Sequence, residues 1–122
     1  MKLLIALSAI VFAVTPATVR ADTTFVNGNI LLERCRPGVD DPSTQILVGN
    51  CYGYVAGAVD TFEILQSAKI IDRYYCMPNG VSVEQLAAIT VKYLNDNPSE
   101  RHNIGSSLIL KALIQSFPCD RD

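Results

Sequence analysis

Residues 44–70 carry the pattern that decides the fold class, and they read TQILVGNCYGYVAGAVDTFEILQSAKI. Apolar side chains recur here at intervals of three and four residues, which is the spacing of one face of an α-helix. These positions are Leu47, Cys51, Tyr54, Val55, Ala58, Phe62 and Leu65. The stretch therefore predicts a long amphipathic helix that packs this face against a core.

A shorter helix is predicted upstream of this stretch. The stretch Asn27-Gly28-Asn29 offers an N-cap, and residues 30–32 with Cys35 provide an apolar face that ends near residue 36. Residues 37–43, PGVDDPS, have the composition of a loop. We therefore expect the first two helices to be joined by a short connection.

Two further helices are predicted downstream. Ser82 and Gln85 have the spacing of a capping box, which marks the start of the third helix. Asn97 is followed by Pro98 and then by an acidic residue, a pattern typical of a helix N-terminus. The last helix is therefore expected to run from there to about residue 117, where Pro118 stops it.

The pattern along the chain indicates helices throughout, and no segment has the alternation expected of a strand. We predict an all-α fold, a small bundle of about four helices around one core. The expected core residues of the last helix are Ile104, Leu108, Ala112 and Leu113.

The N-terminus predicts export. Lys2 precedes a mostly apolar stretch at residues 3–14, and Val19 and Ala21 lie three and one positions before a suitable cleavage point. The apolar stretch is shorter than the roughly twenty residues that a membrane span needs. We therefore expect a cleaved signal peptide at residues 1–21 and a single mature domain at 22–122, with no membrane attachment after cleavage.

The mature chain is acidic. Removal of residues 1–21 leaves 8 Lys and Arg residues against 12 Asp and Glu residues, a formal charge of −4. Nucleic-acid-binding proteins concentrate basic residues on one face. A chain with this balance and no basic cluster does not fit that class, so we expect no nucleic-acid partner.

Four cysteines remain after export: Cys35, Cys51, Cys76 and Cys119. An even number in a small exported chain predicts two disulfides, with three possible pairings. If the last two helices are antiparallel and turn near residue 97, Cys76 lies 21 residues before the turn and Cys119 lies 22 residues after it. Equal arms favour Cys76–Cys119, and Cys35–Cys51 then joins the two helices on either side of the first loop.

Three glycines, Gly49, Gly53 and Gly57, recur every four residues in the long helix, and Asp60 continues the same face. Glycine weakens a helix interior, so three of them need a packing reason. We expect close packing against a neighbouring helix of the same chain. The alternative is a face that contacts a second copy or a partner.

Candidates for catalysis are few. His102 is the single histidine, and Asp60 and Glu63 are the nearest pair of acids on one helix face. With the cysteines assigned to disulfides, no nucleophile stands beside a base. We therefore predict a binding protein rather than an enzyme, with no metal and no cofactor.

Several segments together are similar to one known family. The residues that carry the resemblance are Gly28, Asn29, Leu31 and Cys35; Cys51, Gly53, Tyr54, Gly57 and Asp60; Cys76, Pro78, Gly80, Val81, Ser82 and Gln85; Tyr93, Leu94, Asn97 and Pro98; and Ala112, Leu113, Phe117, Pro118 and Cys119. In this order they resemble the Rap/Tai family of periplasmic immunity proteins, which act against amidases delivered by type VI secretion.

The resemblance implies a helical, often homodimeric protein that binds a peptidoglycan amidase and blocks its Cys–His cleft with a protruding loop. It assigns mainly structural roles to the shared motif residues, among them Gly53, Tyr54, Gly57, Asp60 and Pro118. No contact residue carries over from the family. The candidates for partner binding in this chain are Asp40, Asp41, Tyr74, Tyr75, Asn97, Arg101 and His102.

A second function class stays open. A small periplasmic acid-stress chaperone would also be helical and disulfide-bonded, and it would expose apolar surface in strong acid. With one histidine in the chain, such a switch would have to depend on carboxylates. Loss of subunit contacts and protection of client proteins at low pH would distinguish it from an immunity protein.

Overall fold

The computed structural model describes residues 25–36 and 42–120, which form four α-helices. They are α1 (Gly28–Cys35), α2 (Pro42–Ser67), α3 (Val83–Asp96) and α4 (Gly105–Ser116), with a short 3-10 helix at Pro98–Glu100 between the last two. Apart from one isolated bridge between Asn27 and Ile104, the described residues form no β-structure. The predicted all-α fold is confirmed. The expected signal peptide lies outside the described residues.

The predicted helix caps of α1 and α3 are confirmed. The Asn27 side chain accepts a hydrogen bond from the Ile30 amide at 3.0 Å, which fixes the start of α1. At α3 the Ser82 hydroxyl accepts from the Gln85 amide, and the Gln85 side chain accepts in return from the Ser82 amide. Both helices therefore begin where their local sequence signals place them.

Helix α2 begins earlier and ends earlier than the range of 44–70 that its pattern predicts. Pro42 occupies the first helical position, where its missing N–H costs nothing. At the other end, Lys69 adopts a left-handed backbone conformation with φ of 56°, and the Ile70 amide donates back to the Leu65 carbonyl. This arrangement closes the last turn and leads the chain into residues 72–78, which have no regular secondary structure.

Helix α4 begins at Gly105 rather than at Asn97, so the prediction of its start is wrong. The carbonyls of Arg101 and Asn103 accept hydrogen bonds at 3.1 Å from the Asn29 and Gly28 amides at the start of α1. The Gly105 amide donates to the Val26 carbonyl at 2.8 Å. Because these groups pair with a distant segment, residues 101–104 do not continue as a helix.

The core lies where all four helices meet. Its fully buried members include Leu31, Val55, Leu94, Leu108 and Ile109. The expected core positions Leu108, Ala112 and Leu113 are confirmed. Ile104 is half exposed and Leu47 is 38% exposed, so these two core predictions are wrong. Ile104 lies before α4 and forms a backbone bridge with Asn27, which leaves its side chain at the surface.

Both predicted disulfides are confirmed. Cys35–Cys51 joins the end of α1 to α2, and Cys76–Cys119 joins the segment before α3 to the segment after α4. The Cys76 amide also donates to the Phe117 carbonyl at 2.8 Å, beside the second disulfide. One crosslink therefore ties α1 to α2, and the other ties the segment that precedes α3 to the segment that follows α4. None of the helices in the described part of the chain is long and apolar enough to cross a membrane.

Candidate partner-binding surface

The turn at residues 97–104 is held by hydrogen bonds from several directions. The Asn97 side chain donates to the Tyr93 carbonyl at 2.9 Å, and Arg101 Nε donates to the Leu94 carbonyl at 2.7 Å. The bonds from the Gly28 and Asn29 amides anchor the same turn from the side of α1. We refer to residues 97–104 as the α3–α4 turn. It is a rigid surface feature, and rigidity before binding reduces the entropy cost of contact.

One face of the α3–α4 turn carries a small charged network. Glu100 accepts hydrogen bonds from Lys111 at 2.6 Å and from the Tyr93 hydroxyl at 3.1 Å. Lys111 and Tyr93 together hold the pKa of the Glu100 carboxyl below its usual value. The network ties the turn to α3 and α4 and keeps a carboxylate at the surface at neutral pH.

The candidate contact residues of the turn differ in exposure. His102 is exposed, whereas Asn97 and Arg101 are partly buried and use their side chains to hold the turn. Arg101 therefore has a structural role whether or not a partner binds. The side chains that the turn offers to a partner are those of Pro98, Ser99, His102 and Ile104.

Tyr74 lies at the other end of α4. It lines a pocket of about 270 Å³ together with Arg73, Ile114 and Pro118, and its side chain is 48% exposed. Helix α4 has 12 residues and is therefore about 18 Å long. The structure does not bring Tyr74 next to His102, so a partner that touches both must cover the length of α4.

Tyr75 is a core residue, with a side chain only 2% exposed. Its neighbour Tyr74, in the same segment between α2 and α3, is 48% exposed. A buried side chain offers a partner no surface, so Tyr75 is removed from the candidate contact residues. The candidates Asp40 and Asp41 lie outside the described residues.

A groove of about 480 Å³ lies between the end of α1, α2 and α3. Its apolar lining includes Val48, Tyr52 and Val91, and Arg36 and Glu84 stand among its charged residues. The sequence analysis missed this groove. The signal for it was the small pair Ala87 and Ala88, which leaves space between α2 and α3.

The glycines of α2 do not pack against any of the other three helices that the structure describes. A Cβ built on Gly49, Gly53 or Gly57 would meet nothing within 4 Å, and Asp60 is exposed on the same face. The expectation of packing within the monomer is therefore wrong at these positions. Gly28 and Gly105 pack closely instead: a Cβ on Gly105 would lie 3.1 Å from the Tyr54 hydroxyl.

The other motif residues also divide into those that pack within the monomer and those that are exposed on α2. The half-buried Tyr54 supports the start of α4 through its contact with Gly105, which is a structural role. Pro118 follows α4 and lines the pocket beside Tyr74. Gly53, Gly57 and Asp60 make the exposed side of α2, where the monomer gives them no packing role.

The described residues contain no arrangement that suits catalysis. Asp60, Glu63 and His102 are all exposed. All four cysteines are in disulfides, and no group of three or more His, Cys, Asp or Glu side chains in the described part could hold a metal ion. The described surface has four features that could contact a partner: the α3–α4 turn, the pocket beside Tyr74, the groove between α1, α2 and α3, and the exposed glycine face of α2.

Comparison with known proteins gave one match. Residues 27–119 match the family model described as Rap1a immunity proteins. The match begins at the N-cap of α1 and ends at the last cysteine, so it covers all four helices and both disulfides. Neither the search of curated proteins nor the search of solved structures found a match.

Proposed function

Because the chain belongs to the family of Rap1a immunity proteins, we propose that it is an immunity protein that binds and occludes a peptidoglycan amidase delivered by type VI secretion. The single observation that carries this proposal is the family match over residues 27–119. The function is binding rather than catalysis, and the amidase is a protein partner. We also propose that the protein acts in the periplasm, after removal of residues 1–21, as a homodimer.

The two disulfides support the periplasmic location. Disulfides form and persist in oxidising compartments, and thiols in the cytoplasm are kept reduced. Each crosslink here joins a separate part of the bundle, and together they fix the ends of α1 and α4. A protein built in this way is suited to the compartment in which a peptidoglycan amidase acts.

The α3–α4 turn is the part of the surface that we propose enters the amidase cleft. Its backbone is held by α1 and α3, and its exposed side chains include Ser99 and His102. A preorganised turn binds a cleft without a further ordering cost. Tyr74 and its pocket then lie at the far end of α4, where they contribute only if the interface extends that far.

The proposal is tested by identifying the product of the adjacent gene, which it requires to be an amidase with a catalytic Cys and His, and by mixing that product with the oxidised mature protein. Binding is measured by calorimetry and inhibition by the release of peptidoglycan fragments. We expect stoichiometric inhibition, and His102→Glu is expected to weaken binding by about tenfold or more, as is typical of a central contact. Tyr74→Glu is the matched control and should change binding less.

The outcomes separate the parts of the proposal. Absence of binding and of inhibition would contradict amidase immunity for this protein. Inhibition that survives His102→Glu and Ser99→Arg but is lost with Tyr74→Glu would retain immunity and move the contact surface to the other end of α4.

A further inference from the structure

One face of α2 has a regular pattern and is left uncovered by the other described residues. Six positions separated by alternating steps of four and three residues follow this face, which is the spacing of a coiled-coil seam. The positions are Ile46, Asn50, Gly53, Gly57, Asp60 and Ile64, and all six are exposed. We refer to them as the α2 stripe. It spans about 27 Å at 1.5 Å per residue.

The ends of the α2 stripe are apolar. Ile46 is 68% exposed and Ile64 is 62% exposed, in a chain whose 12 acidic residues would suit exposed positions better. Between them, Gly53 and Gly57 leave the backbone bare, with nothing within 4 Å of where a Cβ would stand. A bare centre with an apolar side chain at each end matches a second helix that approaches closely.

The order of residues along the stripe is nearly the same from either end, and only Asn50 and Asp60 differ in type. Each position has a counterpart at equal distance from residue 55: Ile46 with Ile64, Asn50 with Asp60, and Gly53 with Gly57. A two-fold axis brings such counterparts together, because an isologous interface uses one patch on both copies. The pattern therefore fits a second copy of this helix better than an unrelated surface.

Charge decides the direction in which the two helices run. In a parallel pair each Asp60 would face the Asp60 of the other copy, and like charges in contact repel. In an antiparallel pair each Asp60 faces an Asn50, whose amide N–H can donate to the carboxylate. The antiparallel arrangement also places Ile46 against Ile64 at both ends of the contact.

We infer that the α2 stripe is a homodimer interface in which two copies of α2 pack antiparallel. The two-fold axis crosses the exposed face at the level of Val55, whose own side chain points into the core. This inference rests on the proposed function only for the existence of a homodimer, and it assigns that dimer a face. A contact made by one helix pair is smaller than the roughly 800 Å² per partner of a standard interface. The dimer is therefore reversible and depends on concentration.

The test compares two substitutions at one exposed position. Asn50→Lys places a cation opposite each Asp60 and should lower the dimer Kd by roughly two- to thirtyfold, since the two-fold axis creates two ion pairs. Asn50→Asp places like charges opposite one another and should raise Kd by a similar factor. Sedimentation velocity of the oxidised mature protein from about 1 µM to about 1 mM measures both changes.

The matched controls are Asn95→Lys and Asn95→Asp, at an exposed position of α3 outside the stripe. They change the net charge equally and should leave Kd unchanged. A bulky substitution, Gly53→Phe, should abolish the dimer while circular dichroism shows intact helices.

Each result has one interpretation. A dimer strengthened by Asn50→Lys and weakened by Asn50→Asp supports the antiparallel stripe. A dimer weakened by both substitutions is parallel, and a dimer indifferent to both uses another face; either result overturns the inference and leaves the homodimer standing. If the protein is monomeric at every concentration, both the proposed interface and the proposed homodimer are wrong. If the chain is monomeric and Asn50 variants alter only amidase capture, the stripe is the toxin-binding face, which overturns a second copy as its occupant and retains immunity.

Discussion

Gly28 at the start of α1 lies against the backbone of Arg101 in the α3–α4 turn. A Cβ at Gly28 would stand 2.8 Å from both the Cα and the carbonyl oxygen of Arg101, and 2.5 Å from a methyl group of Leu108. Backbone atoms at this distance cannot yield without a shift of the chain. The contact, together with the hydrogen bond from the Gly28 amide to Asn103, fixes the turn to the first helix.

Gly28→Ala is therefore expected to lower the free energy of unfolding by about 1–3 kcal/mol, the usual cost of overpacking. The same substitution at Gly49 is the matched control. Gly49 is exposed in the interior of α2 with nothing within 4 Å, so Gly49→Ala should raise the free energy of unfolding by up to about 1 kcal/mol. Urea unfolding of both variants measures the changes, and equal effects at the two sites would contradict this account.

The sequence predicts the helices well where their signals are local. The caps at Asn27 and Ser82 depend on side chains within three residues, and both are found as expected. The start of α4 could not be predicted in this way. Its local signals at Asn97 and Pro98 start only the short 3-10 helix, and hydrogen bonds with residues 26–29, which are distant in sequence, keep that turn from continuing into α4.

The candidate site was harder to predict than the fold. The apolar periodicity of α2 identifies its buried face, which contains Cys51 and Val55. It does not show whether the glycine face contacts solvent or another helix. Exposure also separates Tyr74 from Tyr75, which are neighbours of the same type. The sequence carries no signal for that separation, because it depends on how the segment between α2 and α3 lies against the core.

Removal of either disulfide is expected to destabilise the fold strongly. The crosslinked residues are 16 and 43 positions apart, so loop closure predicts losses of about 3 kcal/mol for Cys35→Ala with Cys51→Ala and about 4 kcal/mol for Cys76→Ala with Cys119→Ala. Thermal unfolding of the two double variants measures the losses. An unfolding midpoint that does not change when the wild-type protein is fully reduced would show that the crosslinks contribute no stability.

The hydroxyl of Tyr75 is expected to contribute nothing to stability. It is buried and makes no hydrogen bond within the described part of the chain, although the Glu63 and Gln66 side chains lie close to it. Burial, together with the nearby Glu63 carboxylate, raises its pKa above the usual value. Tyr75→Phe should therefore leave the free energy of unfolding unchanged or raise it by up to about 1 kcal/mol. Tyr75→Ala should lower it by about 3–5 kcal/mol, because the ring fills the core. If Tyr75→Phe costs more than about 1 kcal/mol in urea unfolding, the hydroxyl is hydrogen-bonded in solution.

Glu100 is expected to make part of the stability depend on pH. Lys111 and Tyr93 lower the pKa of Glu100 in the folded protein, which means that ionisation of this carboxyl stabilises the folded state relative to the unfolded state. That contribution is complete above the unfolded pKa of about 4.3 and is lost as the pH falls through the folded value. Glu100→Gln should therefore unfold at a lower urea concentration than wild type at pH 7, and the two midpoints should converge once the pH falls below the lowered pKa of the folded protein.

The matched control for Glu100 is Asp96→Asn, which removes the carboxylate of an ion pair at the same distance, 2.6 Å. Lys92 and Asp96 are 77% and 52% exposed, against 48% and 34% for Lys111 and Glu100, and Asp96 has no tyrosine donor. Its loss should change the midpoint less at pH 7, because exposed pairs contribute little. A larger effect of Asp96→Asn, or a Glu100→Gln difference that persists at low pH, would show that the Glu100 network does not stabilise the turn through its charge.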